Sequence, residues 1–215
     1  WHPSVAIVGS RSPTAGGRDN AAAFAGAFAR SGLGVVSGLA LGVDAAAHRA
    51  ALDAGGVTVA VLGSGIDRAY PSRNRGLCAD IAAAGAVVSE YRPGSVARAG
   101  HFPARNRIVA GLSLATLVVE AAMRSGALIT ARLAADAGRD VFAVPGSIHN
   151  PMARGCHRLI RSGAGLVESA DEVVQALAPL AGHLETALRE RLGDPIKVAG
   201  TPPDGPDEGF PPADP

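Results

Sequence analysis

The chain has 215 residues, 47% of them hydrophobic and only 4% aromatic, with a formal net charge of +1 and two cysteines. That length suits one domain, or one domain with an appendage. Cys78 and Cys156 stand far apart with no second thiol nearby, which argues against a disulfide framework or a zinc site and for a reduced, cytoplasmic compartment. No apolar run approaches the length of a membrane span, the N-terminus does not read as a signal peptide, and a first residue of Trp rather than Met predicts a fragment of a longer protein.

Residues 5–8 form an apolar run that predicts a strand, followed by a loop over 9–17 and a helical pattern over 18–31. A second strand over 34–37 leads into a helix over 42–54, and a third over 57–62 into a loop and a helix over 73–84. A fourth strand over 86–89 precedes a long irregular segment, 92–103, that carries Arg92, Arg98 and His101 and no acid. Loops of this length are often functional. A helix over 105–112, a strand over 115–119, a helix over 126–137 and a strand over 140–144 follow. A short helix over 155–163, a strand over 165–167 and a helix over 170–177 capped by Ser169 complete the pattern.

Strands that are continuous apolar runs are covered on both faces, as in a parallel sheet. The expected fold is therefore α/β: a Rossmann-like, doubly wound, mostly parallel sheet over residues 1–178. Residues 179–193 read as a short helical appendage, with its helix over 183–192. Residues 194–215, rich in Pro, Gly and acid, read as a disordered tail. The charge is split between these parts. Residues 1–174 hold 17 Arg against 12 acids, a balance of +5, and residues 175–215 hold 3 cations against 7 acids, a balance of −4.

In open parallel sheets ligands sit beyond the carboxyl ends of the strands. Four strands end there in small turns: Gly9-Ser10, Ser37-Gly38, Gly63-Ser64-Gly65 and Gly146-Ser147. Such turns can offer backbone amides to an anion, and Arg11 adds a cation at the first of them. Phe102, Arg105 and Arg107 form a second cluster. Two residues subtend about 200° on a helix, so Arg105 and Arg107 cannot share a face: one can reach a ligand while the other pairs within the fold. Phe102 is either a core ring or a platform for a base. Asp44 and His48, four apart on a helix, fit a structural pair better than an acid/base pair, and Glu120 at a strand end fits an anchor better than a catalytic acid. No G-x-G-x-x-G run follows the first strand, no acid ends the second, and no Walker loop exists, so no nucleotide cofactor is expected.

Longer runs carry a resemblance: Ala6-Ile-Val-Gly-Ser-Arg11, the stretch Ser37 to His48, Val61 to Pro71, Phe102-Pro-Ala-Arg-Asn-Arg-Ile-Val-Ala-Gly-Leu-Ser113, Ser125 to Ala131, and Phe142-Ala-Val-Pro-Gly-Ser147. From about residue 5 to 175 the chain resembles the DprA/Smf family, the DNA-processing proteins of bacterial transformation. The resemblance implies a homodimer that binds single-stranded DNA without strong sequence preference and loads the RecA recombinase onto it; on the residues themselves no catalytic residue and no metal is expected. It implies phosphate contacts at Gly9, Ser10, Arg11, Ser37, Gly38, Gly63 and Ser64, and a DNA pocket at Phe102, Arg105 and Arg107. Many relatives add an N-terminal helical domain and a C-terminal winged-helix-like domain, and neither is visible here. Gly155-Cys156-His157 also stands where the family usually has Gly-Thr-Asn.

Two other readings remain open on the residues. A nucleoside-monophosphate phosphoribohydrolase of the "lonely guy" type would share the strand-end glutamate and the Pro-Gly turn, although its Pro-Gly-Gly-x-Gly-Thr-x-x-Glu run is absent at Pro145-Gly146-Ser147. A nucleotide-sensing domain would use the same sheet edge for a small ligand.

Overall fold

The computed structural model describes residues 2–193. Strand and helix alternate as β1 (Ser4–Val8), α1 (Ala15–Arg30), β2 (Gly34–Ser37), α2 (Val43–Asp53), β3 (Thr58–Leu62), α3 (Arg75–Ala84) and β4 (Ala86–Ser89). They continue as α4 (His101–Gly111), β5 (Ala115–Val118), α5 (Gly126–Asp136), β6 (Asp140–Ala143), α6 (Arg154–Arg161), β7 (Gly165–Leu166) and α7 (Ala170–Gly193). All seven strands are parallel, in the order β4-β3-β2-β1-β5-β6-β7. The doubly wound, Rossmann-like sheet is the architecture that the apolar runs predict.

β1 is the axis of the sheet. It pairs with β2 on one side (Val5 beside Val35) and with β5 on the other (Val5 beside Ala115). The chain winds outward from β1 to β4 in one direction and from β5 to β7 in the other, so the strand order reverses between β1 and β5. A crevice opens at the carboxyl ends of two such strands, because the helices that follow them leave for opposite faces.

Alternation along the strands feeds two cores. Val8, Val36, Val61 and Val118 turn to the face covered by α4, α5 and α6, where they meet Val109, Ala127, Ala131 and Cys156. Ala60 and Leu62 turn to the other face, against Leu77, Cys78 and Ile81 of α3. Small side chains let the helices lie close on the sheet, which is how a chain with few aromatic rings fills its interior.

Two helices start earlier than their periodicity indicates. α1 begins at Ala15 because Thr14 caps it, its hydroxyl accepting from the Gly17 amide at 3.0 Å. α4 begins at His101 with no side-chain cap. Pro103 falls in its first turn, where the missing N–H costs nothing. Gly100 and Pro103 make this stretch look like loop, yet the early start places Phe102 and Arg105 three residues apart on one helix. α7 runs through Pro179 to Gly193, so residues 183–192 belong to it rather than to a separate helix. Contacts divide the chain after Ala178. The acidic segment 194–215 lies outside the described residues. No helix among the described residues is long and apolar enough to cross a membrane.

Candidate functional site

A cleft of about 620 Å³ occupies the crevice between β1 and β5. Its floor and walls come from the turn after β1 (Gly9 to Ser12), the turn after β2 (Gly38, Ala40) with Asp44 of α2, α4 (Phe102, Arg105, Asn106) and the turn into α5 (Arg124 to Ala127).

The inner layer of this cleft is a hydrogen-bonded brace. β2 ends in a turn that holds Leu39 at φ 59, a left-handed conformation that costs a non-glycine residue free energy. Asp44, in the first turn of α2, holds it in place: one carboxylate oxygen accepts from the amides of Gly38 (3.1 Å) and Ala40 (3.2 Å). Asn74 donates to the carbonyls of Leu39 (2.8 Å) and Ala40 (3.2 Å) from below. The Arg105 guanidinium, 4% exposed, reaches in from α4 and donates to the carbonyls of Gly38, at 2.6 Å, and Val61, at the ends of β2 and β3. Gly38 must be glycine for this, since a Cβ there would stand 2.6 Å from the guanidinium. Burial raises the Asp44 pKa, and the neighbouring Arg105 charge opposes the rise. Burial lowers that of Arg105, and Asp44 opposes it. Each charge thus offsets part of the burial cost of the other.

His48 extends the brace into the core. Thr58 donates its hydroxyl proton to the Val35 carbonyl, so it must accept from His48 Nδ1, 2.7 Å away. The imidazole is therefore the neutral Nδ1–H tautomer. Full burial, with the Arg105 charge adding to it, lowers its pKa to about 3. Glu120 is an anchor at the end of β5. Its carboxylate accepts from the Thr14 amide (2.9 Å), the Thr14 hydroxyl (2.7 Å) and the Asn150 amide group (3.2 Å), tying α1 and the loop before α6 to the sheet.

Several turn groups expected to face a phosphate are engaged inside the protein. The Ser10 amide donates to the Glu120 carbonyl (2.7 Å) and its hydroxyl accepts from the Ser12 amide (3.1 Å). The Ser37 hydroxyl donates to the Ile7 carbonyl (2.6 Å), and that of Ser64 to the Arg68 carbonyl (2.6 Å). The Gly63 carbonyl contacts His101 Nδ1 at 3.0 Å, and a Cβ on Gly63 would stand 3.1 Å from the Phe102 ring. Gly9, Ser10, Gly38 and Arg105 do line the cleft, whereas Ser37, Gly63 and Ser64 are buried behind it.

The outer layer is cationic and aromatic. Exposed Arg11 stands with its guanidinium carbon 5.2 Å from the centroid of the half-buried Phe102 ring, within cation–π range. Arg107 projects from the opposite side of α4 and pairs with Glu90, away from the cleft. Arg124, in the turn before α5, and Asn106 of α4 line the cleft although sequence reasoning does not single them out; Asn106 lies within the Phe102–Ser113 run, whereas nothing in the local pattern marks Arg124. At Gly155-Cys156-His157, the Gly155 amide donates to the Ala121 carbonyl (2.7 Å), and burial pushes the Cys156 thiol up to about 11. His157 Nε2 lies 2.9 Å from the Gly146 carbonyl. These three residues pack α6 against the ends of β5 and β6.

Residues 1–178 match the family model described as DNA recombination-mediator protein A. Protein Smf of Synechocystis is 48% identical over 178 residues, which cover 83% of this chain and 45% of that protein. The crystal structure of DNA processing protein A from Streptococcus pneumoniae superposes with a TM-score of 0.76 at 48% identity, over 81% of this chain and 61% of that one. DNA processing protein A from Helicobacter pylori, whose structure gives insight into its single-stranded DNA binding mode, superposes with a TM-score of 0.76 at 31% identity, over 82% of this chain and 80% of that one. The chain spans about half the length of the curated relatives it matches.

Proposed function

The chain belongs to the DNA recombination-mediator protein A family, and from that premise we propose that its cleft binds single-stranded DNA with little regard to sequence. Incoming strands are held and protected there for handover to the RecA recombinase during transformation, by a homodimer in the cytoplasm, and no bond is made or broken. The observation that carries this reading is the Arg11–Phe102 pair at the mouth of a cleft on the switch point of the sheet. A flat ring with a guanidinium beside it suits a base and its phosphate. Every base has a π-face, so such a platform is indifferent to sequence.

Charge supports the same reading, since residues 1–174 carry a net +5. So does the Helicobacter pylori relative, which binds single-stranded DNA. The cations divide by role. Arg11 and Arg124 face the strand, Arg105 holds the cleft wall, and Arg107 steadies the rim through Glu90.

The test is fluorescence anisotropy with a labelled oligonucleotide, single-stranded and duplex, across a salt series. Single strand is expected to bind with a salt slope of about −0.7 per phosphate neutralised, and duplex weakly. Arg11→Ala is expected to weaken binding and flatten the slope by about one phosphate. Equal affinity for duplex and single strand, or no effect of Arg11→Ala, overturns the proposal. Release of adenine from AMP would favour the phosphoribohydrolase reading instead.

A further inference from the structure

Aromatic residues are scarce in this chain, and their distribution is uneven. Among the described residues Phe24, Phe28 and Phe142 are buried, and the remaining three, Tyr70, Tyr91 and Phe102, gather at one rim of the cleft. Tyr70 is 52% exposed, and its ring centroid lies 5.5 Å from that of Phe102 at an interplanar angle of 40°. Tyr91 stacks on His101 at 4.0 Å and so backs the first turn of α4.

These rings stand on a ledge built from the loops after β3 and β4. The Gly65 amide donates to the Ser95 carbonyl (2.9 Å), the Gly94 amide to the Asp67 carboxylate (2.7 Å), and the Ser89 hydroxyl to the Ser64 carbonyl (2.6 Å). Two long loops are thereby joined into one surface. Arg68, Arg92 and Arg98 are exposed on it; of its two acids, Asp67 accepts from the Gly94 amide and Glu90 is paired with Arg107.

We infer that Tyr70 and the ledge beneath it form a second nucleotide subsite, and that a single strand leaves the cleft toward β4, passing from Phe102 to Tyr70. The inference rests on the reading of the cleft as a single-strand site. A base inserted between two rings needs them about 7 Å apart, twice the 3.4 Å rise per nucleotide. At 5.5 Å the Phe102 and Tyr70 rings are too close for that. They act side by side, each offering a face to its own base, and the arginines of the ledge meet the phosphates between. The opposite way out, toward β6, passes a groove of about 890 Å³ lined by Arg124, Arg132, Arg139 and Arg158. It offers cations but no exposed ring among the described residues, since Phe142 is buried. Phosphate attraction alone does not distinguish the two routes; stacking does.

Two measurements test the inference. The first is anisotropy with oligothymidylates of increasing length on the wild type, Tyr70→Ala, Tyr70→Phe and Arg11→Ala. Base–aromatic stacking of about 1–3 kcal/mol predicts a loss of about 5- to 150-fold for Tyr70→Ala. The loss is expected only once the oligonucleotide is long enough to pass Phe102, and Tyr70→Phe is expected to bind as the wild type. The second is photocrosslinking of an oligonucleotide carrying 5-iododeoxyuridine, read by peptide mass spectrometry; a crosslink at Tyr70 is expected. Wild-type affinity in Tyr70→Ala at every length, with Arg11→Ala still weakened and no Tyr70 crosslink, overturns the ledge and leaves the cleft. Absence of single-strand binding by the wild type overturns both.

Discussion

Arg105 is the residue for which the structure makes the sharpest demand. As a phosphate ligand it would be dispensable for folding; as a brace it is not. Truncation to Ala would orphan the carbonyls of Gly38 and Val61 and leave Asp44 buried without its cation. Hydrogen bonds from a charged group contribute about 1.5–3 kcal/mol each, so losing the two puts the cost at about 3–6 kcal/mol. With a urea m-value of about 2 kcal/mol/M, the unfolding midpoint should fall by roughly 1.5–3 M. That is a large share of the roughly 5–15 kcal/mol that holds a typical domain together. Urea titration followed by circular dichroism measures it. Arg105→Lys keeps the charge but loses the fork, and should fall between wild type and Arg105→Ala. In a double-mutant cycle with Asp44→Asn, the two losses should be strongly non-additive. The reasoning fails if Arg105→Ala unfolds at the wild-type midpoint while its DNA-binding salt slope drops by about one phosphate; Arg105 would then be a ligand and not a brace.

The outer residues should behave in the opposite way. Phe102→Ala should weaken single-strand binding about 5- to 150-fold while Phe102→Trp retains it, as anisotropy would report. Arg107→Ala breaks only an exposed pair, so urea unfolding should register a change of about 0–1 kcal/mol. His48 predicts a pH dependence: its pKa is about 3 in the fold against 6.5 in the unfolded chain, so between those values the unfolded state binds the extra proton. Stability from this group should be complete above pH 6.5 and decline toward pH 3 by at most about 1.4 kcal/mol per unit, and His48→Gln should flatten the slope in urea titrations run at several pH values. Glu120→Gln sets an amide N–H₂ against one of three donors and should cost about 1–3 kcal/mol by the same titration. A stable Glu120→Gln protein that loses a wild-type ability to release adenine from AMP would instead mark Glu120 as catalytic.

The arrangement of the sheet was legible because it depends on local pattern. Continuous apolar runs spaced by helical stretches leave few alternatives to a parallel, doubly wound sheet, and the turns after β1 and β2 do reach the cleft. What the sequence did not display is which way each polar side chain turns. At the carboxyl end of a parallel sheet the last carbonyls and amides of β2 and β3 lose their ladder partners. Serine, aspartate and arginine there can satisfy the backbone or meet a ligand, and the two uses have the same composition. Ser37, Ser64 and Asp44 turn inward. Arg105 does so across 67 residues of chain, a distance over which no periodicity carries information. The helical geometry of α4 settled the division between its two arginines only once its start was known. With His101 as the first residue, Phe102 and Arg105 both line the cleft, and Arg107 is carried round to Glu90.

The two layers depend on each other in one direction. Arg105 and Phe102 sit on the same helix, and the guanidinium that holds the ends of β2 and β3 also fixes where the Phe102 ring stands over Gly63. Loosening the inner layer should therefore degrade the outer one. Loosening the outer layer, by removing Arg11 or the Phe102 ring, leaves the hydrogen bonds of Asp44, Asn74 and Arg105 intact. A stacking platform that tolerates every base gains its affinity from being held still, because each side chain immobilised only on binding would cost free energy at that moment. The buried groups beneath the cleft thus serve the fixed surface they present to the strand as well as the stability of the fold.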